Sequence, residues 1–348
     1  MINLEKEIRQ QPDVLSGIEE ANREKITVLV AEAKKRGIRN VTIAARGTSD
    51  HAAIYGQYLL AITAGIPCGL ATPSAVSKYG ADIDYSGHLV IGISQSGMAE
   101  DVICVIEDAK KHGALTASVT NNESSPLAKA VDFSLYCNAG PETSIAATKT
   151  FTSQLYIMAM LAAEWGGDDE LYKALRKLPE ITSELLCDMP TVLEPIAKKY
   201  KELSAASVLG RGLLYPIALE GALKILETNK IKMRGYAVSD FHHGPKAQIG
   251  KGDLAIILAC NGKTLDDEKE MCRELLAVGG DVLVITDKSD DFGAATVLHV
   301  PTSNYKHPDA ITAFCCAITL QLLALKLTEV RGIDPDASEV LKKVTVTV

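Results

Sequence analysis

An internal repeat constrains the fold of this chain more than any other feature of its sequence. Residues 43–47 form an apolar run that ends in Arg-Gly, and residues 207–212 repeat that pattern later in the chain. Repetition at one fixed period indicates a duplicated structural unit. Three pairs of landmarks share an offset of 165 or 166 residues: Arg46 and Arg211, Gly113 and Gly279, and Thr120 and Thr286.

Short apolar runs alternate with helical patterns in each copy. In the first copy they predict strands at 41–45, 68–71, 89–93, 115–119 and 133–136, and helices at 48–64, 99–111 and 147–165. The second copy repeats the pattern with strands at 207–209 and 254–259 and a helix at 216–226. This alternation is typical of a parallel sheet with helices on both faces. We therefore predict an α/β fold with two tandem, doubly wound parallel sheets related by duplication.

The same patterns divide the chain into five segments. Two polar, amphipathic helices separated near Pro12 precede the first strand, and a charged helical stretch separates the two copies. At this length each copy can bury a core of its own. The expected segments are N-terminal helices at 1–37, a first subdomain at 38–170, a helical linker at 171–204, a second subdomain at 205–330 and a tail at 331–348.

Charge and composition exclude several classes of partner. The 36 basic and 44 acidic residues of the 348-residue chain give a net charge of −8, and the longest basic run is 34–36. This balance argues against a nucleic-acid-binding or anionic-membrane surface. No run reaches the roughly 18 uninterrupted apolar residues of a membrane span, and the charged N-terminus is unlike a secretion signal. We expect a cytoplasmic protein without a nucleic-acid or membrane partner.

The eight cysteines predict neither disulfides nor a metal centre. They form no C-x-x-C pair and no spacing typical of zinc ligands, and several lie within apolar runs. Free thiols of this kind fit a reducing cytoplasm. His242 and His243 are adjacent, so in an extended segment their side chains would point apart and make a poor metal site. We expect no bound metal.

The loop after the predicted strand at 89–93 is a candidate anion site. There the chain continues as Ser94-Gln95-Ser96-Gly97 and then enters a helix. N–H groups at a helix start lack intrahelical partners and, with the helix dipole, favour an anion. The segment predicts a phosphate cradle, although an ordinary serine-rich helix cap has the same local pattern. The second copy has Cys260-Asn261-Gly262-Lys263 here, so only the first copy is expected to hold phosphate.

The predicted helix at 216–226 continues to Glu227 and carries three charged residues on one face. Glu220, Lys224 and Glu227 follow the spacing i, i+4, i+7, and the rest of this stretch is apolar. Such a stripe is commonly a solvated surface pair. If the face lies in a cleft instead, a carboxylate beside an ammonium can act as a general base.

Two loops add further candidates. His243 precedes a Gly-Pro turn, and a histidine can move protons near neutrality, although an exposed loop histidine has the same pattern. Residues 139–149 join a predicted strand to a long helix, and their small side chains would let the backbone approach a sugar ring. An ordinary strand-to-helix turn fits the second loop equally well.

Six segments taken together carry a resemblance to a known family. They are 46–49, 94–97, 147–152, 215–224, 243–245 and 343–345, in this order along the chain. The set resembles the SIS (sugar isomerase) domain family of phosphosugar isomerases, deaminases and deglycases, and in particular the isomerase half of glucosamine-6-phosphate synthase. The resemblance covers nearly the whole chain and implies two flavodoxin-like subdomains.

The resemblance also implies which residues bind the substrate, a hexose 6-phosphate. Ser94, Gln95 and Ser96 match the positions that bind the 6-phosphate. The other implied contacts, to the sugar, are Thr48, Ser49, Ile145 and Ala147.

Four further residues match catalytic positions of the family. Glu227 matches the base that shuttles a proton between C1 and C2 of the sugar, and Lys224 lies beside it. His243 matches a ring-opening histidine, which in this family reaches across a dimer interface. Lys343, or alternatively Lys342, matches a C-terminal lysine that closes over the substrate. The resemblance thus implies a homodimeric enzyme with no metal or organic cofactor.

The chain departs from the synthase pattern in several places. Ala99 stands where that pattern has a phosphate-binding threonine, Ala147 where it has a sugar-binding serine, and Ser338-Glu339 where it has Pro-Arg. The sequence starts Met1-Ile2, without the synthase's glutaminase cysteine, so we expect no ammonia production from glutamine. The leading expectation is a deaminase that converts glucosamine 6-phosphate to fructose 6-phosphate and ammonia.

Two other functions stay open on sequence alone. A deglycase that releases an amino acid from a fructosamine 6-phosphate would use the same Glu227 and His243, with Glu339 near a lysine adduct. A non-catalytic phosphosugar sensor is the alternative from another class. The joint presence of Glu227, Lys224 and His243 argues against a sensor, because binding alone requires no base or acid.

Overall fold

The computed structural model describes residues 2–337, 340–341 and 343. Within them the strands are β1 (Asn40–Ala44), β2 (Cys68–Leu70), β3 (His88–Ile93), β4 (Leu115–Thr120), β5 (Phe133–Tyr136), β6 (Ala205–Gly210), β7 (Lys232–Ala237), β8 (Leu254–Leu258), β9 (Asp281–Thr286) and β10 (Thr296–His299). The α-helices are α1 (Asn3–Arg9), α2 (Gln11–Lys35), α3 (Thr48–Leu59), α4 (Pro73–Ser77), α5 (Glu100–Lys111), α6 (Pro126–Ala130), α7 (Lys149–Gly166), α8 (Asp169–Leu175), α9 (Leu178–Lys199), α10 (Tyr215–Asn229), α11 (Val238–Phe241), α12 (Leu265–Ala277) and α13 (Asp309–Arg331).

The chain divides into two compact units, each built around one sheet. The first-sheet unit comprises Asp13–Glu142, Lys149–Arg176 and the C-terminal segment that contains Lys343. The second-sheet unit comprises the N-terminal residues through Pro12, Thr143–Thr148 and Lys177–Leu341. These units are defined by contacts and combine residues that are distant along the chain. They therefore do not test the five consecutive segments expected from sequence, which remain a prediction.

The first-sheet unit contains a five-stranded parallel sheet with the order β2-β1-β3-β4-β5. Strand β4 is buried along its whole length, and β3 is buried from Leu89 onward. Burial on both faces explains the nearly continuous apolar runs seen in the sequence. Because β1 and β3 are neighbours although β2 lies between them in sequence, their carboxyl ends flank a topological switch point, where α/β sheets bind ligands.

The loop after β3 is held by a small apolar core. Val90 of β3 packs with Val102, Val105 and Ile106 of α5 and with Leu127 of α6. These side chains are fully buried. The core therefore fixes the position at which β3 ends and α5 begins, so the intervening loop has a defined shape.

The second-sheet unit repeats this topology with the order β10-β9-β8-β6-β7, also all parallel. One ion pair is repeated as well. Arg46 Nε lies 2.6 Å from Asp101 Oδ2 in the first unit, and Arg211 Nη1 lies 2.9 Å from Asp267 Oδ2 in the second. The shared topology and the repeated pair confirm the predicted α/β fold with two duplicated sheets.

Helix α10 is placed by two close contacts that involve glycines. A Cβ at Gly221 would lie 2.2 Å from Leu320 Cδ1 of α13, and a Cβ at Gly235 of β7 would lie 2.5 Å from Leu219 Cα. Only glycine fits at such distances without a shift of the neighbour. The helix is therefore clamped between α13 and β7, which gives the charged residues on it fixed positions.

Helix α13 is long and apolar enough to span a membrane by length and composition alone. Its most apolar 18-residue stretch is, however, 94% buried inside the protein. A core helix of a folded unit shows this burial, since its apolar surface is already covered by protein.

Several predicted boundaries shift in the structure. The helix predicted at 48–64 is α3 followed by a π-helical turn at Leu60–Ala64, and α5 begins at Glu100 rather than at Ala99. Helix α7 begins at Lys149, two residues later than predicted. Capping residues resemble first-turn residues in sequence, so boundaries of this kind are difficult to locate from pattern alone.

The burial of Glu268 in α12 predicts that the stability of the protein depends on pH. Its side chain is fully buried, and both carboxyl oxygens lack a hydrogen-bond partner in the described part of the chain. Burial raises the pKa of this carboxyl to about 9. The folded protein then keeps a proton that the unfolded chain releases above about pH 4.5, so stability falls as pH rises from about 4.5 to about 9.

We expect Glu268→Gln to remove this dependence, because the amide has the shape of the protonated carboxyl and does not titrate. The variant should be more stable than the parent at pH 8, with little difference near pH 4.5. Urea denaturation at several pH values measures this. Parallel pH profiles for the two proteins would contradict it.

Candidate active site

The segment Ser94–Gly97 forms a tight turn between β3 and α5. Ser94 is buried, and its Oγ accepts a hydrogen bond of 3.2 Å from the Gly97 N–H. Gly97 has φ +66°, a conformation that L side chains rarely adopt. The turn thus requires glycine at this position, and it leaves Gln95 and Ser96 partly exposed.

This turn carries donors that suit an anion. The N–H groups of Gln95, Ser96 and Glu100 have no partner within the described residues. Helix α5 has Ala99 at its N-cap, which contributes no side-chain hydrogen bond to the helix start. Unpartnered amides at a helix N-terminus form a favourable phosphate site. The unpartnered amides are compatible with the phosphate cradle expected from sequence, which stays a prediction.

Thr48 and Ser49 begin α3, directly after β1. Thr48 is partly exposed and Ser49 is buried. Gln154 Nε2 of α7 donates a hydrogen bond of 3.1 Å to Ser49 Oγ. Since β1 and β3 are adjacent parallel strands, the structure brings these two residues to the same sheet edge as the Ser94–Gly97 turn. The five residues predicted to contact the substrate, Thr48, Ser49 and Ser94–Ser96, therefore lie at the same end of the first-sheet unit.

The charged stripe of α10 is not a solvated surface. The side chains of Glu220 and Lys224 are only 1% and 2% exposed, and that of Glu227 is 20% exposed. Lys224 Nζ lies 2.6 Å from Glu227 Oε2 and 3.3 Å from Glu220 Oε1. One buried ammonium is thus placed between two carboxylates, and of these two side chains only that of Glu227 is partly exposed.

This arrangement fixes the charge of Lys224. Burial alone would lower the pKa of its ammonium, but the charges of Glu220 and Glu227 raise that pKa above its ordinary value. Lys224 is therefore a permanent cation at neutral pH. It holds the Glu227 carboxylate in one orientation, which suits a group that must accept a proton at a defined place.

His243 lies in the same unit as Glu227, in the turn after α11. It is exposed, its N–H bonds the Asp240 carbonyl at 3.0 Å, and its ring has no partner in the described part of the chain. The neighbouring His242 differs, because its Nδ1 lies 3.5 Å from Glu274 Oε2. The exposed ring of His243 can thus contact solvent or another molecule.

Ile145 and Ala147 lie in the short Thr143–Thr148 segment, which belongs to the second-sheet unit. Both are partly exposed. The segment is held by Glu7 of α1, whose Oε1 accepts the Thr143 N–H at 2.5 Å and whose Oε2 accepts the Ser144 hydroxyl. Buried Glu7 thus orders the loop whose small side chains the sequence singled out.

Lys343 is the part of the C-terminal lysine pair that the structure describes. Its Nζ lies 2.9 Å from Glu142 Oε2, within the first-sheet unit. The alternative tail lysine Lys342 and the departures Ser338 and Glu339 lie outside the described residues. The predicted tail residue therefore joins the unit that contains the Ser94–Gly97 turn.

The corresponding turn of the second-sheet unit is already filled. The Asn261 N–H donates a hydrogen bond of 2.5 Å to Asp287 Oδ1, which places a carboxylate where the first unit offers free amides. A Cβ at Gly262 would meet Asp309 Cγ at 2.9 Å. Two acidic side chains at this turn disfavour an anion there. That only the first copy holds phosphate stays a prediction.

The structure therefore groups the predicted residues by unit. Thr48, Ser49, the Ser94–Ser96 segment and Lys343 belong to the first-sheet unit, whereas Glu227, Lys224, His243, Ile145 and Ala147 belong to the second.

Sequence reasoning missed Glu142 and Glu7. Glu142 lay within a segment that was singled out, but α7 begins seven residues later, at Lys149, so no local pattern marked this residue. Nothing in the sequence near Glu7 indicates its distant partner.

Comparisons with known proteins show which family the chain resembles. A family model described as the SIS domain matches residues 22–164 and 204–331. Glutamine-fructose-6-phosphate aminotransferase (isomerizing) from Aquifex aeolicus is 36% identical over 90% of this chain and 53% of its own length. The protein of that name from Xylella fastidiosa (strain Temecula1) is 33% identical over 98% of this chain and 58% of its own length. The chain spans about half the length of these curated relatives.

A solved structure agrees as well. The C-terminal domain of glucosamine-fructose-6-phosphate aminotransferase from Francisella tularensis matches with a TM-score of 0.85 and 26% identity, over 97% of this chain and 98% of that one. The matched family model covers both sheets, and the matched structure covers nearly the entire chain. The chain belongs to the SIS domain family, as an enzyme of the phosphosugar isomerase type.

Proposed function

We propose that this enzyme deaminates and isomerises an amino-sugar 6-phosphate, converting glucosamine 6-phosphate and water to fructose 6-phosphate and ammonia. The observation that carries the proposal is the α10 cluster, in which buried Lys224 holds the Glu227 carboxylate while the Glu227 side chain stays partly exposed. A carboxylate fixed in this way is suited to move a proton between adjacent carbons. Sugar isomerisation requires that step.

In the proposed reaction Glu227 removes the proton from C2 of the open-chain amino sugar and returns it to C1. The double bond then lies between C2 and nitrogen, and water hydrolyses this imine to release ammonia. Lys224 takes no proton, because it is a permanent cation paired with both carboxylates of its helix face. Its role is to orient Glu227.

The phosphate group would be held by the turn at Ser94–Gly97. The donors would be the unpartnered amides of Gln95 and Ser96 and those at the start of α5. The turn itself contains no lysine or arginine. Thr48 and Ser49 at the same sheet edge would then contact the sugar. When the 6-phosphate is bound in this turn, C1 and C2 lie at the opposite end of the open-chain sugar.

The relatives support amine chemistry on a fructose phosphate, because their name describes an aminotransferase that uses fructose 6-phosphate and isomerises it. Ala147 and Ala99 remove two hydroxyl groups relative to the synthase pattern. We therefore propose amino-sugar 6-phosphates as the substrate class. Ammonia release from glucosamine 6-phosphate and from galactosamine 6-phosphate determines which epimer is the substrate.

The test is ammonia release by the purified protein from glucosamine 6-phosphate and from galactosamine 6-phosphate. Steady release from either sugar supports the proposal. No ammonia from either sugar overturns it. Fructoselysine 6-phosphate, run in parallel, then distinguishes a deglycase from a sensor, since only the deglycase releases lysine.

We further propose a homodimer in which His243 acts in the site of the other copy as the ring-opening acid and base. The support is that its ring is exposed and has no partner in the described residues. Mixing a Glu227→Gln protein with a His243→Ala protein tests this, because a mixed dimer contains one intact site. Activity above that of either variant supports the exchange, whereas no recovery in a verified mixed dimer contradicts it.

We also propose that the protein is cytoplasmic. All eight cysteines are free thiols, and five of them are buried. Free cysteines are typical of a reducing compartment. Cell fractionation followed by thiol titration of the recovered protein tests the assignment, and disulfide-linked material from an oxidising compartment would contradict it.

A further inference from the structure

Glu142 carries a charge in a place where an unpaired charge would be unfavourable. Its side chain is 0% exposed, and it lies in the loop between β5 and α7. A buried carboxylate requires hydrogen bonds and a cation to stay ionised. Lys343 Nζ, 2.9 Å from Oε2, supplies the cation.

Two further bonds of Glu142 connect it to the start of α7. Its Oε1 accepts the Thr150 N–H at 3.1 Å, and its Oε2 accepts the Thr150 hydroxyl at 2.7 Å. A carboxylate at a helix N-terminus is stabilised by free amides and by the helix dipole. These two bonds do not involve Lys343, so they hold the Glu142 carboxylate at the start of α7 independently of the lysine.

Asn121 connects this loop to the phosphate-binding turn. Its backbone N–H bonds the Gln95 carbonyl at 3.0 Å, its side-chain Nδ2 bonds the Gly140 carbonyl at 2.7 Å, and its Oδ1 accepts the Ala139 N–H at 3.0 Å. All these groups lie in the first-sheet unit. The turn that would bind phosphate and the loop that binds Lys343 are thus one hydrogen-bonded assembly.

Apolar packing does not explain the position of Lys343. Val340 is 86% exposed and Leu341 is 38% exposed, so neither buries its side chain deeply. The Lys343 side chain, in contrast, is 21% exposed. The described contact of Lys343 itself is a charge-assisted hydrogen bond to Glu142, which is stronger than a neutral one.

We propose that Glu142 is a positioning residue for the reaction: it docks the C-terminal lysine, Lys343, beside the phosphate-binding turn. This inference rests on the proposed function, in which Lys343 closes over the sugar. Glu142 itself touches neither sugar nor phosphate in this proposal. Its effect on turnover passes entirely through Lys343.

The first test measures docking without any sugar. Trypsin cleaves after lysine, and mass spectrometry separates cleavage after Lys343 from cleavage at other sites. We expect Glu142→Gln to accelerate cleavage after Lys343 by roughly tenfold or more, because the amide keeps the bonds to Thr150 but loses the charge. The matched control Thr150→Val removes one bond to Glu142 and keeps the ion pair, so its cleavage rate should stay near that of the parent.

The second test uses turnover and a double-mutant cycle. Glu142→Gln and Lys343→Met should each lower kcat, on the order of 10- to 100-fold, and the double variant should be no slower than Lys343→Met alone. Additive losses would overturn the positioning role, as would equal losses in Glu142→Gln and Thr150→Val. If the enzyme turns over no sugar phosphate, the proposed function fails while the trypsin result still decides whether Glu142 docks the tail.

Discussion

Glu227→Gln is expected to reduce the rate of sugar-phosphate turnover by about 10²- to 10⁴-fold, the usual contribution of a general base. Glutamine has the same volume and can still accept a hydrogen bond from Lys224, so the helix face should keep its structure. It cannot accept a proton from carbon. We therefore expect kcat to fall while KM for the sugar phosphate changes little, which steady-state kinetics measures.

Glu220→Gln is the matched control for this variant. Glu220 lies on the same face of α10, is more deeply buried and also contacts Lys224, at 3.3 Å. Because it does not reach solvent, it is in no position to meet a substrate. Its substitution should alter the stability of the protein and leave kcat within a few-fold of the parent. Equal losses of kcat in the two variants would contradict the assignment of Glu227 as the base.

Gly97→Ala is expected to weaken binding of the sugar phosphate on the order of 10- to 100-fold. Gly97 has φ +66°, and an added Cβ would lie 2.1 Å from Ser125 Oγ and 2.4 Å from Ser125 Cβ. The turn must therefore shift, which moves the amides of Gln95 and Ser96 away from a common anion. Strain of this kind is worth about 1–3 kcal/mol. KM should rise more than kcat falls.

Gly87→Ala provides the matching control for backbone strain. Gly87 lies in the same unit and has φ +72°, but a Cβ there meets no atom within 4 Å among the described residues. This variant carries the unfavourable backbone conformation without disturbing the turn. We expect it to lose stability, by about 1 kcal/mol, and to keep the KM of the parent. An unchanged KM in Gly97→Ala would show that the turn does not bind the phosphate.

The sheets could be predicted from sequence because buried parallel strands have a strong pattern. The run at 133–136 coincides with β5, and the common offset of 165 or 166 residues corresponds to two sheets of one topology. Strands β7, β9 and β10 of the second sheet were not predicted. Strand β7, Lys232–Ala237, is exposed at its two basic side chains and contains a glycine, so it lacks a continuous apolar run.

The burial of the charged stripe could not be predicted from its spacing. The pattern of Glu220, Lys224 and Glu227 fits a surface helix equally well, and only the packing of α10 against α13 and β7 shows that two of them are buried. Tertiary contacts, not local propensity, decide which face of such a helix meets water.

Contacts between distant segments were also beyond the sequence pattern. Glu7 binds the Thr143–Thr148 segment and Glu142 binds Lys343, and each pair is separated by more than a hundred residues. No local rule links such positions. The roles of the cradle, of Glu227 and of His243 stay predictions that the variants above test.

The central claim is that this enzyme moves a proton between C1 and C2 of a hexose 6-phosphate. Proton NMR of fructose 6-phosphate incubated with the protein in D₂O, with and without ammonium, tests it most directly. We predict loss of a C1 proton signal through exchange with solvent, and no exchange with Glu227→Gln. Retention of both C1 protons under each condition, with the sugar phosphate bound, would contradict the claim.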